Sequence, residues 1–219
     1  MTISIPGPTL RRLPKYYRRL KRALAEGTAF LSSSALGAAA DVPPEQVRKD
    51  LSYLSEKGRS GVGYDVKALA GHIEEFLGLV NHKDAILVGA GNLGRALALF
   101  PGFKPYGLQI VVLFDNDPAK IGQKVGSLEV LPIEKMVSLV QRMKISLGII
   151  TTPPESAQEI ADAMVEAGIH AIWNFSPRRL NLPEGVALKN EDLASELAVL
   201  SHKIERLKID YQVSGSQHA

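Results

Sequence analysis

The chain of 219 residues contains no cysteine and has few aromatic residues, 6% of the total. Without cysteine there is no disulfide bond, no thiolate nucleophile and no metal site built from thiolates. No apolar run reaches the length of a membrane span, and the first residues lack the charged-then-apolar order of a signal peptide. The remaining composition, 45% hydrophobic and 22% charged, is typical of a globular protein, and we expect a cytoplasmic one.

Charge is distributed unevenly along the chain. Residues 1–80 hold 12 Lys and Arg against 8 Asp and Glu, whereas residues 81–219 hold 14 against 15. The first 22 residues contain seven basic residues and no acidic one. This density favours a polyanionic partner, although a solvated helix face would have the same composition.

Apolar spacing predicts three helices near the N-terminus. The first runs from Pro8 to Gly27, the second from a serine N-cap at 32–34 to Ala40, and the third over 45–56. Their predicted core residues are Leu10, Leu13, Tyr17, Leu20 and Leu24, then Val47, Leu51 and Leu54. The outer face of the third helix carries Gln46, Arg48, Lys49, Ser52, Tyr53 and Ser55. This arrangement is typical of a helix-turn-helix, whose last helix enters the major groove of DNA.

A glycine-rich segment, residues 57–66, follows the third helix. Its three glycines predict a hairpin with Arg59-Ser60-Gly61 near the tip, from which the arginine would reach a phosphate or the minor groove. This is the wing of a winged helix, or else an ordinary hairpin beside a helical bundle. A further helix over 66–80, with Leu69, Ile73, Phe76 and Leu77 inward, leads to a domain boundary near Asn81.

The second half of the chain is organised around a glycine motif. Apolar residues 85–88 predict a buried parallel strand, and Gly89, Gly91 and Gly94 follow with G-x-G-x-x-G spacing at the start of an apolar helix. Gly89 permits the tight turn, Gly91 lets a pyrophosphate approach backbone N–H groups, and Gly94 lets helix and strand pack closely. The motif therefore predicts a dinucleotide site.

Strands and helices continue to alternate after this motif. Further strands are predicted over 109–114, 129–131, 145–150, 171–174 and 186–189, with helices over 132–143 and 154–167. This alternation predicts an α/β doubly wound parallel sheet of the Rossmann type, which binds ligands outside the carboxyl ends of its strands. The residues expected around the dinucleotide are Gly89, Ala90, Gly91, Asn92, Leu93, Gly94, Asp115, Asn116, Lys120, Thr151, Thr152, Pro153, Asn174, Phe175 and Ser176. Asp115 would accept from the ribose hydroxyls and repel a 2′-phosphate, which favours NADH over NADPH.

Several linked motifs resemble a known family. QVRKDLSYL with GVGY behind it, then VGAGNLGRAL, FPGF, FDNDPAKIG and WNFSP, resemble the Rex family of redox-sensing transcriptional repressors over residues 10–210. The resemblance implies a homodimer, each chain having an N-terminal winged-helix domain and a C-terminal Rossmann domain. It also implies binding to operator DNA when NADH is scarce and release when NADH accumulates, with NAD⁺ a weak competitor.

The family's functional positions match particular residues of this chain. The DNA contacts match Arg48, Lys49 and the wing, and the link between DNA and nucleotide domains matches Arg18 and Asp192. The wing departs from the family pattern because its arginine, Arg59, stands one residue early. Phe100 replaces a tyrosine that joins the link in some members, so this chain lacks that hydroxyl.

Charge distinguishes the two redox states of the cofactor. Oxidised nicotinamide is a cation and the reduced ring is neutral, so an apolar pocket without a carboxylate favours NADH. Phe100 and Phe103 are candidates to line such a pocket, and the alternative is that both belong to the core. Trp173 is expected in the core.

The C-terminal segment predicts a dimerisation helix over 191–212, before a tail at 213–219. Leu193, Leu197, Leu200, Ile204 and Leu207 have the spacing of a helical seam. The seam could pack on the chain's own sheet, whereas the resemblance implies that it reaches the partner subunit. The predicted domains are therefore residues 1–80, residues 81–190 and this helix.

Two other functions use a similar fold, an NAD-dependent dehydrogenase and a CoA-binding domain of ligase type. A dehydrogenase needs a proton donor near the nicotinamide, yet none of the five histidines falls at a predicted carboxyl strand end. We therefore expect a regulator and not an enzyme, with NAD(H) as ligand, no metal, and operator DNA and a second copy as partners.

Overall fold

The structure, a computed structural model, describes residues 5–215, with side chains for all of these except Leu193, Glu196 and residues 207–215. The chain divides into two compact units, residues 1–81 and residues 82–219. Within the described range, no helix has both the length and the apolar character needed to cross a membrane.

The first unit consists of four helices and a small antiparallel sheet. The helices are α1 (Gly7–Ala25), α2 (Ser33–Ala40), α3 (Pro44–Ser52) and α4 (Val66–Phe76), and strands β1 (Phe30–Leu31) and β2 (Tyr64–Asp65) pair with each other. Ser32 caps α2 by accepting a hydrogen bond from the Ala35 N–H at 3.1 Å, as its sequence predicts. Helices α3 and α4 both end four residues earlier than predicted.

The buried face of α1 includes some residues that the sequence did not predict and leaves out two that it did. Leu13 and Leu20 are buried as expected, but Leu10 is 46% exposed and Leu24 is 37% exposed. Tyr16 and Ala23 are buried in addition to the predicted residues. Phe76, predicted inward on α4, is 44% exposed because it lies in the last turn of that helix.

The second unit is built on a seven-stranded sheet with the order β5-β6-β4-β3-β7-β8-β9. Its strands are β3 (Lys83–Val88), β4 (Leu108–Asp115), β5 (Lys124–Val125), β6 (Leu128–Pro132), β7 (Leu147–Ile150), β8 (Ala171–Asn174) and β9 (Ala187–Asn190). All neighbours are parallel except β5 and β6, which form a hairpin around Gly126 at φ 62°. Strand β5 was not predicted, because two residues are too few to show a period.

Helices cover the sheet on both faces. They are α5 (Asn92–Ala98), α6 (Met136–Met143) and α7 (Pro154–Glu166), with short 3-10 helices at Pro101–Tyr106 and Ile133–Lys135. A further helix, α8 (Leu193–Gly215), follows β9. Ile86 and Val88 of the central strand β3 belong to the core cluster that includes residues of α6 and α7. Ala85 and Leu87 belong to the cluster on the opposite face, and residues of α5 pack against that cluster. Strands β4 and β7 are added on opposite sides of β3, so the strand order reverses at β3, which is the usual position of a nucleotide site.

Candidate functional site

Each of the three glycines of the loop after β3 meets a different requirement. Gly89 has φ 108°, which favours glycine, and a Cβ there would lie 2.8 Å from the backbone of Thr151. A Cβ on Gly94 would lie 1.9 Å from the Gly89 carbonyl oxygen, so helix and loop pack too closely for any side chain. A Cβ on Gly91 would meet no heavy atom within 4 Å. The open space at Gly91 fits the approach of a pyrophosphate to the loop.

The peptide of Ala90, in the middle of this loop, is held from both sides. Its N–H donates to Oδ2 of Asp115 at 2.7 Å, and its carbonyl accepts from Nε of Arg95 at 3.0 Å. Nη2 of Arg95 in turn donates to Oε1 of Gln123 at 2.6 Å. These contacts join the glycine loop to the end of β4 and to the segment before β5. Sequence reasoning missed Arg95 and Gln123, because no local pattern connects them.

Asp115 is an ionised carboxylate at the carboxyl end of β4. It is 5% exposed, Oδ1 accepts from the Asp117 N–H at 2.9 Å, and Nζ of Lys120 lies 3.1 Å from Oδ2. Burial alone would raise its pKa, but the hydrogen bonds from the Asp117 N–H, Lys120 and the Ala90 N–H outweigh burial and lower it. The site therefore presents a negative charge, partly balanced by Lys120, beside the glycine loop.

A cleft of about 330 Å³ opens at the carboxyl ends of β3, β4 and β7. It brings together six predicted residues, Gly89, Asp115, Asn116, Lys120, Thr152 and Pro153. It is also lined by residues that were not predicted, Val88, Ile133, Met136, Ser156, Glu159, Ile160 and Ala163. Apart from Val88, which ends β3, the apolar members lie on helices that follow the strands, so the order of elements in the sequence could have indicated them. The cleft has the apolar walls and polar rim suited to an adenosine group.

The two threonines after β7 have separate tasks. Oγ1 of Thr151 donates to the Gly89 carbonyl at 2.8 Å and so supports the glycine loop. Oγ1 of Thr152 is buried and has no hydrogen-bond partner among the described residues, and the same is true of Oγ of Ser176 after β8. Buried hydroxyls without a partner are costly, and polar atoms of a bound dinucleotide would satisfy both.

Asn174 is fully buried at the end of β8. Its Nδ2 donates to the carbonyls of Ser176 and Arg178 at 3.2 and 2.9 Å and to Oδ1 of Asn190 at 2.9 Å. Its Oδ1 accepts from the Ser176 N–H at 3.0 Å. The amide is thus occupied in shaping the turn after β8, and the candidate for ligand contact at this strand end is Ser176.

Aromatic rings form a row on the face of the sheet opposite α6 and α7. Ring centroids are 5.0 Å apart for Phe100 and Phe103, 5.6 Å for Phe103 and Trp173, and 4.9 Å for Trp173 and Phe175. Phe103, Trp173 and Phe175 are half-buried against the core, while Phe100 is 54% exposed at the end of the row. Nε1 of Trp173 donates to Glu191 at 3.0 Å. Phe100 is therefore not a core residue, and Phe103 packs on the core cluster of its face. At the start of α5, Asn92 and Leu93 are exposed.

Helix α3 presents an exposed basic surface in the first unit. Arg48, Lys49 and Ser52 are exposed, and Tyr53 is half-buried. The guanidinium of Arg48 donates to Oγ of Ser33 at 3.2 Å and to Oε1 of Glu45 at 2.9 Å. Gln46 differs from the other predicted residues of this surface, because its Nε2 donates to the buried Asp50 at 2.9 Å.

The segment after α3 forms the predicted hairpin. The N–H groups of Arg59 and Gly63 each donate to the other's carbonyl, at 2.8 and 2.9 Å, and Gly61 turns the chain with φ 73°. A Cβ on Gly63 would lie 2.3 Å from the Leu31 carbonyl oxygen, so this glycine allows the hairpin to approach β1. Arg59, Ser60 and Gly61 are exposed, and the Arg59 guanidinium lies 5.9 Å from the Phe30 ring centroid.

Comparison with known proteins places this architecture in a family. The chain is 44% identical to the redox-sensing transcriptional repressor Rex of Desulforamulus reducens, over 92% of this chain and 96% of that protein. The chain belongs to the Rex family. The Rex protein of Chloroflexus aurantiacus is 43% identical over 92% of this chain and 95% of its own length. A family model described as a putative DNA-binding protein N-terminus matches residues 4–52, and one described as a CoA binding domain matches residues 80–178.

Solved Rex structures match almost the whole chain. RSP, a Rex-family repressor, in complex with β-NAD⁺ and operator DNA has a TM-score of 0.87 and 34% identity, covering 98% of this chain and 99% of RSP. RSP in complex with β-NADH has a TM-score of 0.83 and 34% identity, covering 97% of this chain and all of RSP. The predicted winged helix-turn-helix and Rossmann-type sheet are therefore confirmed, as is membership of the Rex family.

The two residues matched to the Rex domain link are exposed, one on α1 and the other just before α8. The Arg18 side chain is exposed on α1. Asp192 precedes α8, where its carboxylate accepts from the N–H of Ser195 at 3.0 Å and from the Ser195 hydroxyl. These two hydrogen bonds lower the pKa of Asp192, which therefore carries a charge and also caps the helix.

Proposed function

We propose that this chain is a DNA-binding transcriptional repressor that senses the NADH/NAD⁺ ratio, holding operator DNA when NADH is low and leaving it when NADH binds. The observation that carries the proposal is the pair of matching RSP complexes, one with NAD⁺ and operator DNA and one with NADH. The chain also has what each ligand needs, an exposed basic α3 for DNA and a glycine loop with an acid beside it for the dinucleotide.

In the proposed nucleotide complex, pyrophosphate lies at Gly91, adenosine occupies the cleft beside Asp115, and nicotinamide lies toward Thr152 and Ser176. Phe100 and Phe103 supply apolar surface on the nicotinamide side, where the oxidised ring, a cation, loses more solvation than the neutral reduced ring. This difference favours NADH. To convert a nearly fully DNA-bound population into a nearly fully free one, NADH must favour the free state by about 5.5 kcal/mol in total.

The repressor acts as a homodimer in this proposal, and two nucleotide sites share that free energy. Described apolar residues of α8 are exposed: Leu197, Val199, Leu200 and Ile204 at 63, 53, 52 and 45%. They do not pack on the chain's own sheet, so a second copy is the partner that would bury them. Leu193 and Leu207 of the predicted seam lie outside the described side chains.

The test is binding of the purified chain to DNA from upstream of its own gene, followed by fluorescence anisotropy during titration with NADH or NAD⁺. We expect NADH to release the DNA at a lower concentration than NAD⁺ and an unrelated duplex to bind weakly under all conditions. Release by neither nucleotide, or equal binding to both duplexes, would contradict the proposal. Consumption of NADH with small carbonyl substrates would favour the alternative of a dehydrogenase.

A further inference from the structure

A buried carboxylate, which the sequence patterns did not indicate, lies on the inner side of α3. Asp50 has no exposed surface and accepts five hydrogen bonds. The donors are Oγ1 of Thr9 at 2.9 Å, Nε and Nη2 of Arg12 at 2.6 and 2.7 Å, the Tyr16 hydroxyl at 2.8 Å and Nε2 of Gln46 at 2.9 Å. Four of the five come from one face of α1. We call this set the Asp50 lock.

The Asp50 lock is an unusual way to join two helices of a small domain. A buried ion pair is often no more stabilising than well-packed apolar side chains of the same volume, because both charges lose their hydration. What it adds is direction, since each hydrogen bond requires a defined distance and angle. The planar guanidinium of Arg12 donates to both carboxylate oxygens of Asp50. This bidentate pair fixes the rotation of α3 about its axis as well as its distance from α1.

The opposite face of α3 carries the residues proposed to meet DNA. Lys49 is the neighbour of Asp50 in sequence, and Arg48 is the next residue before it; both are exposed. Contacts to base edges require side chains held within roughly 0.5 Å and 10–20° of their productive geometry, whereas contacts to phosphates carry no sequence information. A device that fixes the rotation of α3 therefore bears on sequence discrimination more than on general DNA affinity.

We propose that Asp50 is a positioning residue for base recognition, which holds α3 in one rotational orientation on α1. Gln46 belongs to the Asp50 lock, so its side chain donates to Asp50 and does not contact DNA. This inference rests on the proposed function as a DNA-binding repressor. It assigns to α1 a role in aligning the recognition helix.

The experiment compares the full-length parent with Asp50→Asn, Arg12→Lys and Tyr16→Phe. Asparagine keeps the shape of Asp50 but loses its charge, lysine keeps the charge of Arg12 but loses the bidentate pair, and phenylalanine removes one hydroxyl with little change in packing. The matched control is Ile73→Val on α4, which loses a buried methylene outside the lock. Each variant is titrated with operator and with an unrelated duplex, and its NADH affinity and unfolding temperature are measured.

We expect Asp50→Asn and Arg12→Lys to lower the ratio of operator to unrelated affinity tenfold or more, and Tyr16→Phe to lower it several-fold, with NADH affinity unchanged. Ile73→Val should retain the parent's ratio although it also lowers the unfolding temperature. An unchanged ratio in Tyr16→Phe and Arg12→Lys, or an equal loss in Ile73→Val, would overturn the positioning role while leaving the repressor function intact. A parent chain without any operator preference would overturn the repressor function, and this inference with it.

Discussion

The carboxylate of Asp115 accepts a hydrogen bond from the backbone N–H of Ala90 at 2.7 Å, which connects the end of β4 with the middle of the glycine loop. One buried acid therefore supports the glycine loop and also lies at the strand end where a ribose is expected. If NADH binds as proposed, structural support of the loop and recognition of the nucleotide depend on the same side chain.

We expect Asp115→Asn to weaken NADH binding by tenfold or more. The amide has only one oxygen acceptor, so its NH₂ group would face a donor at Ala90, Asp117 or Lys120, and losing a charged hydrogen bond costs about 1.5–3 kcal/mol. NADH fluorescence titration measures the affinity. The parent should bind NADH more tightly than NADPH, and the ratio of the two affinities should be smaller in the variant. Asp117→Asn is the matched control, since its side chain is 43% exposed, and it should bind as the parent does. Parent-like affinity in Asp115→Asn would contradict the role given to this acid.

Gly91→Ala should fold normally and lose NADH binding. Gly91 has φ −76°, which any residue adopts, and a Cβ there would meet no atom within 4 Å, yet it would stand where the pyrophosphate must approach. Quenching of the single tryptophan by NADH gives the affinity, and thermal unfolding checks the fold. Gly71→Ala, in equally open space on α4, is the control for a methyl group as such. Tight NADH binding by Gly91→Ala would show that the phosphates lie elsewhere.

Removing Arg48 or Lys49 should weaken operator binding and leave NADH affinity unchanged. Each lost phosphate contact should also reduce the slope of log affinity against log salt by roughly 0.9. Arg48→Ala additionally frees Glu45, with which it pairs at 2.9 Å, so Lys49→Ala is the simpler variant. Arg142→Ala, an exposed arginine of α6, controls for net charge. Normal operator affinity in the double variant Arg48→Ala, Lys49→Ala would argue against α3 as the DNA-binding helix.

Asp192→Asn should uncouple NADH from DNA without disturbing the nucleotide pocket. Asparagine caps helices as well as aspartate does, so this change removes the charge while the hydrogen bond to the Ser195 N–H is kept. If the charge holds Arg18 in only one of the two functional states, Asp192→Asn, Arg18→Ala and the double variant should all shift the NADH concentration that releases DNA. Operator binding during an NADH titration measures that concentration. The same value in all three variants and the parent would exclude this pair as the switch.

Because of the Asp50 lock, the free energy of unfolding should fall at low pH. Burial alone would raise the pKa of Asp50, but hydrogen bonds from Arg12, Tyr16, Gln46 and Thr9 outweigh burial and lower it to about 2. Because the folded-state pKa is below the unfolded one, the stabilisation, about 2 kcal/mol, is fully present above the usual carboxyl range and is lost as pH falls through 2. The free energy of unfolding, measured with urea, should therefore be higher for the parent than for Asp50→Asn at pH 5, and the difference should shrink as the pH is lowered to 2. Asp41→Asn, at an exposed site, should show no such convergence, and a constant difference for Asp50→Asn would contradict the lowered pKa.

Most of the element order and one part of the nucleotide site could be predicted from local patterns. Gly89, Gly91 and Gly94 lie where their spacing indicated, and Asp115 ends its strand as predicted, because periodicity and turn chemistry act over a few residues. The same reasoning placed Asn174 at a strand end but could not show that its amide turns inward to shape the loop. It also counted Leu10 and Leu24 as core, since helical spacing alone does not say where neighbouring helices end.

The amino-acid sequence by itself determined the two-domain plan, the helix-turn-helix with its hairpin, the alternation of strands and helices, and the family. Only the tertiary structure decided which side chains meet. Ala90 and Asp115 are 25 residues apart, Arg95 and Gln123 are 28 apart, and Arg12 and Asp50 are 38 apart. Hydrogen bonds over such separations depend on the order of strands in the sheet and the packing of helices, which no local period encodes.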